Sequence, residues 1–143
     1  MKAEQLSVFL ENRSGSLSRV IDVLAREKIR ILAMSLADTS DFGILRMITR
    51  DMPKTRAVLA AEGFTIGSVS VIAARVGDSP EKIGEFLRLL ANRGVNVEYM
   101  YAFIRDDSGE TAMIFRFDKM DEAIELLREK EFDLMTAREL SDF

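Results

Sequence analysis

Apolar and polar residues alternate from the start of the chain. Leu6, Val8 and Leu10 share one side of an extended segment, which predicts a strand over residues 4–11. The period then changes. Leu17, Val20, Ile21 and Leu24 follow i, i+3, i+4, i+7 spacing, the buried stripe of an amphipathic helix, expected over roughly 16–28. Ile29 and Ile31 lead into a strand at about 30–38, a turn at Thr39-Ser40-Asp41 and a strand at about 43–50. Pro53 suits the first turn of a second helix ending near Gly63, and a last strand begins near Phe64.

The pattern then repeats about 66 residues later. Leu17, Val20, Ile21 and Leu24 recur as Ile83, Phe86, Leu87 and Leu90; Ile29 and Ile31 recur as Val95 and Val97; Leu6, Val8 and Leu10 recur as Ile72, Ala74 and Val76. Further on the offset is about 68: Val58 and Leu59 match Leu126 and Leu127, and Phe64 matches Phe132. The two additional residues fall near Asp106-Asp107-Ser108-Gly109, which has the composition of a hairpin turn. The second copy predicts a strand ending at Val76, a helix over about 80–93 stopped by Gly94, strands over 95–105 and 110–117, a helix over 120–130 and a strand from 132.

The order β-α-β-β-α-β, twice, defines an α+β chain of two ferredoxin-like units, each an antiparallel sheet with its helices on one face. The expected division is residues 1–69 and 70–143. No Pro/Gly/Ser-rich linker separates the copies. The run from Phe64 to Val76 predicts the fourth strand of the first copy passing almost directly into the first strand of the second.

Composition narrows the chemistry. The 143 residues are 48% hydrophobic and 31% charged, the balance of a folded globular protein. Cysteine and histidine are absent, which removes iron–sulfur clusters, thiolate zinc sites, disulfides and cysteine- or histidine-based triads. Residues 1–70 carry a net charge of +2 and residues 71–143 a net of −6, so neither half is the basic surface that nucleic acid needs. Phe115 and Phe117 have the spacing of a base-stacking platform, but they lie at core periodicity in the acidic half. Asp106, Asp107 and Glu110 form an acidic tip without calcium-loop spacing, and no metal or cofactor is expected. No apolar run is long enough to span a membrane, and Met1 to Gln5 enter alternating sequence at once, so the expectation is a cytoplasmic protein.

One segment offers a ligand a foothold. Leu10-Glu11-Asn12-Arg13-Ser14-Gly15-Ser16-Leu17 joins a strand to a helix N-terminus. Such a terminus presents unpaired N–H groups and a partial positive charge. Gly15 permits close backbone approach, and Ser14 or Ser16 is placed to cap the helix. The geometry suits a carboxylate or another small anion; a plain capped turn has the same sequence requirements.

Asn12-Arg13-Ser14-Gly15-Ser16-Leu17 resembles the N-x-P-G-x-L loop of ACT domains, with serine in place of proline, and Gly94-Val95-Asn96-Val97 resembles the start of the second strand of the same domain. With Phe42-Gly43-Ile44-Leu45-Arg46 and Glu98-Tyr99-Met100-Tyr101-Ala102-Phe103, the resemblance to stand-alone tandem ACT proteins spans the chain. It implies a non-catalytic regulatory module that binds an amino acid where two modules pair, between the first loop of one and the second strand of its neighbour. The ligand-binding residues it implies are Asn12, Arg13, Ser14, Gly15, Ser16, Leu17 and Asn96. A second, weaker site would use Arg30 with Asp78, Ser79, Pro80 and Glu81, where Glu81 stands at the repeat position of the loop glycine. A homodimer and a separately encoded regulated enzyme complete the expectation. The rival readings are an acylphosphatase-like hydrolase, whose phosphate cradle is missing, and an interaction module whose ligand site has decayed.

Overall fold

A computed structural model describes residues 2–103 and 111–142. The hairpin turn and acidic tip expected at Asp106 to Glu110 lie outside the described residues. The elements are β1 (Ala3–Glu11), α1 (Ser16–Arg26), β2 (Ile31–Asp38), β3 (Phe42–Thr49), α2 (Met52–Ala61), β4 (Thr65–Ala74), α3 (Pro80–Asn92), β5 (Val97–Ala102), β6 (Met113–Phe117), α4 (Met120–Glu129) and α5 (Ala137–Asp142). The chain divides into two compact units, Glu4–Val69 joined by the chain from Ser141, and Ser70–Leu140 joined by the chain up to Ala3.

In the first unit the strand order is β2-β3-β1-β4, with β1 and β2 both antiparallel to β3. The alternating residues Leu6, Val8 and Leu10 pack with Leu45 and Met47 of β3 against Val20, Val23 and Leu24 of α1 and Leu59 of α2, so both helices cover one face. In the second unit the order is β4-β6-β5, again antiparallel. Ile72, Ala74, Phe115 and Phe117 pack against Phe86 and Leu90 of α3 and Ala123 and Leu127 of α4. Phe115 and Phe117 are fully buried with stacked rings, which leaves no platform for a base. β4 is one unbroken strand: its first half borders β1 and its second half pairs with β6.

The repeat extends to backbone detail. Register irregularities fall at Ile31/Ala33 and at Val97/Tyr99, matching places in β2 and β5. The second one has a consequence for the aromatic strand. Strict alternation puts Tyr99 and Tyr101 on the face of Val97, but the irregularity sets them opposite Arg116 and Ile114, off the row of Phe115 and Phe117.

Helices α1 to α4 all end alike. Each is followed by a left-handed residue, Lys28 (φ 56), Gly63 (φ 85), Gly94 (φ 69) and Glu131 (φ 59). The next residue then donates its N–H back into the last turn: Ile29 to Leu24, Phe64 to Leu59, Val95 to Leu90 and Phe132 to Leu127. Each such pair is apolar, as this helix stop favours. Two of the four positions carry a side chain where glycine has no steric penalty. Lys28→Gly and Glu131→Gly are therefore each expected to stabilise the protein by about 0.5–1 kcal/mol, the relieved strain exceeding the added chain entropy. Thermal denaturation checks this, and an unchanged or lowered Tm would refute it.

The C-terminal end departs from the expected pattern. Instead of a full strand from residue 132, the chain makes a single bridge, Ala74 to Leu134, and then turns into α5. The Arg75 N–H donates to Asp133 O and the Met135 N–H to Ala73 O. Arg75 also pairs with Asp133 and Glu139, each at 3.1 Å. Met135 and Leu140 are buried here. At the other end Lys2 pairs with Asp121 at 2.9 Å, and this hydrogen bond and charge hold the Asp121 carboxyl below its ordinary range.

Candidate functional site

The loop between β1 and α1 is fixed from both sides. Asn12 donates from Nδ2 to the carbonyls of Thr39 (3.1 Å) and Ser40 (3.5 Å), and its backbone N–H donates to Asp41 O at 2.9 Å. Its amide nitrogen is thus committed to holding the loop against the β2–β3 turn. The Arg13 N–H donates to Glu11 O, and Arg13 Nε lies 2.9 Å from Glu11 Oε2, both side chains being exposed.

Gly15 is the N-cap of α1, with φ 88 and ψ −13, and no side chain caps this helix. Neither Ser14 nor Ser16 serves as the cap that its residue type suggested. The left-handed turn at Gly15 brings the Ser16 N–H toward Arg13 O instead, at 3.3 Å. Gly15 O then accepts from Arg19 N–H at 3.1 Å and starts the helix. The N–H groups of Leu17 and Ser18 have no helical acceptor, because residues in the first turn lack one. A β-carbon on Gly15 would meet nothing within 4 Å, so the space above this backbone is open.

The corresponding loop of the second unit is built differently. Gly77 takes the left-handed conformation (φ 82), and the N-cap of α3 is Ser79, whose Oγ accepts the Lys82 N–H at 3.2 Å. Pro80 opens the helix and Glu81 lies in its first turn, where its carboxylate meets the positive helix end. Asp78 is exposed. α3 starts at Pro80, as its own pattern predicts but two residues before the 66-residue counterpart of Ser16, so Ser79 rather than Glu81 takes the structural place of Gly15. This helix end is satisfied by its own chain.

Asn96 and Arg30 precede the second strands of their units, and both are exposed. The Asn96 N–H donates to Asp118 Oδ1 at 2.8 Å, and its carbonyl accepts from the Asp118 N–H at 3.1 Å. Arg30 makes the equivalent backbone contact, its carbonyl accepting from the Arg50 N–H at 3.0 Å.

A shallow hollow of about 200 Å³ lies beside the first loop. Glu11, Arg13 and Ser16 line it together with Phe9, Arg19 and Phe64. The Arg19 guanidinium sits over the Phe64 ring, 5.2 Å from its centroid. Arg19 lies off the apolar stripe of α1, and the sequence carries no sign that the α2–β4 turn returns Phe64 to this helix end. Among the described residues, no group of three or more His, Cys, Asp or Glu is placed to hold a metal ion, and no helix is long and apolar enough to cross a membrane.

No curated protein matches the chain in sequence. Among solved structures, protein BT0572 from Bacteroides thetaiotaomicron is 38% identical, superposes with a TM-score of 0.91, and the match covers 100% of this chain and 98% of that one. The ligand-free regulatory subunit of aspartate kinase from Thermus thermophilus is similar in fold at 13% identity, with a TM-score of 0.59 and coverage of 90% and 92%. The corresponding subunit from Thermus flavus gives 16% identity, a TM-score of 0.55 and coverage of 90% of each chain. The family model for the ACT domain pair matches residues 1–143, and the chain belongs to that family.

Proposed function

We propose that this ACT domain pair is a non-catalytic regulatory module that binds an amino acid or similar small ligand, with the loop Asn12–Leu17 as its principal ligand element. One observation carries the reading: α1 begins at a left-handed glycine with no side-chain cap and open space above it, whereas α3 is capped by Ser79. A carboxylate at the first helix end would accept N–H groups that the protein leaves unmatched. Asn12 holds the loop in place. Asn96 is included as a second polar contact to be tested on its own. The second loop, with Arg30, Asp78, Ser79, Pro80 and Glu81, would bind more weakly because its helix end is already satisfied. The module acts on a separate enzyme, as a cytoplasmic homodimer. The regulatory subunits of aspartate kinase with the same fold are consistent with such a role.

The test is a thermal-shift screen of the standard amino acids, followed by calorimetric titration of the stabilising ones into Gly15→Val and Asn96→Ala. Gly15→Val should weaken binding, since a β-branched side chain enters the open space and strains a backbone at φ 88. Losing the Asn96 amide should cost about 0.5–3 kcal/mol, the upper end if it meets a carboxylate, or roughly 2- to 150-fold in Kd. Folded variants that bind like the parent would refute the site.

A further inference from the structure

We propose that the ligand is a dicarboxylic amino acid, and that Arg19 is the side chain that reads its additional negative charge. This deepens the assignment of the first loop and rests on it. The hollow beside that loop holds two guanidinium groups, Arg13 and Arg19, against one carboxylate, Glu11. Glu11 and Arg13 face each other at 2.9 Å and offset one another. Arg19 forms no ion pair among the described residues; its guanidinium carbon stands over the Phe64 ring, 5.2 Å from the centroid. An arginine held against an aromatic face keeps its donor edge for a ligand and loses less rotamer freedom on binding. The uncapped end of α1 adds further positive potential at the same place.

Charge matching then selects the ligand. An amino acid with a neutral side chain is a zwitterion with no net charge and leaves Arg19 uncompensated. A dicarboxylic amino acid brings one net negative charge. Its α-carboxylate meets the N–H groups at the helix end, its ammonium faces Glu11, and its second carboxylate reaches Arg19 as a charge-assisted pair. A basic amino acid adds positive charge where two arginines already stand. At about 200 Å³ the hollow lies below the usual range for larger organic ligands and suits a single small molecule. Its lining by Arg13, Ser16 and Arg19 suits a polar ligand.

The experiment is calorimetric titration of the full chain with L-glutamate, L-aspartate, L-glutamine, L-asparagine and L-lysine, repeated on Arg19→Gln, Arg19→Lys and Gly15→Val. The acids are expected to bind about tenfold or more tightly than their isosteric amides, the scale of one charge-assisted hydrogen bond at an exposed site. Arg19→Gln should bring acid and amide to within about twofold, and Arg19→Lys should restore part of the preference. Arg19 is exposed, so these variants are expected to keep the parent Tm. Equal binding of acid and amide, or an acid preference that survives Arg19→Gln, overturns the proposal. If an amino acid binds without acid preference and loses affinity in Gly15→Val, the loop assignment stands and this inference alone fails. If none of the standard amino acids binds, the loop assignment fails and this inference with it.

Discussion

Phe86→Ala is expected to destabilise the protein by about 3–5 kcal/mol, the range for truncating a fully buried aromatic residue. Phe86 lies on α3 and is fully buried between strand and chain end. Its ring centroid is 4.8 Å from that of Phe115 on β6 and 5.2 Å from that of Phe132, the latter edge to face. Truncation removes the buried area and both ring contacts, and it leaves a cavity among Phe115, Phe132 and Leu90 that a close-packed core fills only in part. Phe86→Leu keeps most of the volume and should cost clearly less than the alanine variant. Urea denaturation with an unchanged m-value distinguishes lost stability from a changed unfolded state. A Phe86→Ala loss below about 1 kcal/mol would mean that α3 is not packed as described.

Met135→Ala should cost about 2–5 kcal/mol. Sequence position alone assigns little weight to a residue so near the end of the chain. The structure makes Met135 fully buried and ties its N–H to Ala73 O at 2.8 Å. Leu134 and Leu140, on either side of it, are also buried. With Arg75 gripping Asp133 and Glu139, the segment is held at both ends of this contact. Local loosening is expected alongside the global loss: the amides of Ala73 and Ala74 should exchange faster in Met135→Ala than in the parent. Met135→Leu preserves volume and should stay within about 1.5 kcal/mol. Met135→Ala at parental stability would show that the segment adds nothing to the core.

Most of the fold can be derived from periodicity because its helices bury narrow stripes. Val20 and Leu24 of α1, and Phe86 and Leu90 of α3, are buried at the predicted spacing. Helix ends were equally accessible where glycine marks them, at Gly63 and Gly94. Lys28 and Glu131 take the same conformation, and only the repeat offset shows it, since side-chain identity argues against a positive φ. α5 carries no periodic signal, because its six residues contain one buried apolar side chain, Leu140. Phe132 and Leu134 alternate as strand residues do, which predicts a fourth strand in the second copy, yet Leu134 forms only a bridge.

Within the loop, Gly15 was legible as the special position, but its role as N-cap was not. Serines on either side are the better caps by propensity, and a left-handed turn overrides propensity. The anchoring of Asn12 was hidden for another reason. Its acceptors, Thr39 and Ser40, lie 27 and 28 residues away on a turn whose placement depends on the β1–β3 register.

β4 bears on what the two copies can do apart. A cut after Val69 ends the first copy inside a strand and gives the second copy a raw strand start two residues before Ile72, a core residue. A cut after Ala74 removes Ile72 and Ala74 from the second core altogether, and a cut before Thr65 takes the strand that borders β1 from the first. Every division costs one half its strand. The boundary between the two compact units falls inside this strand, so neither copy can be expressed whole without residues that belong to the other.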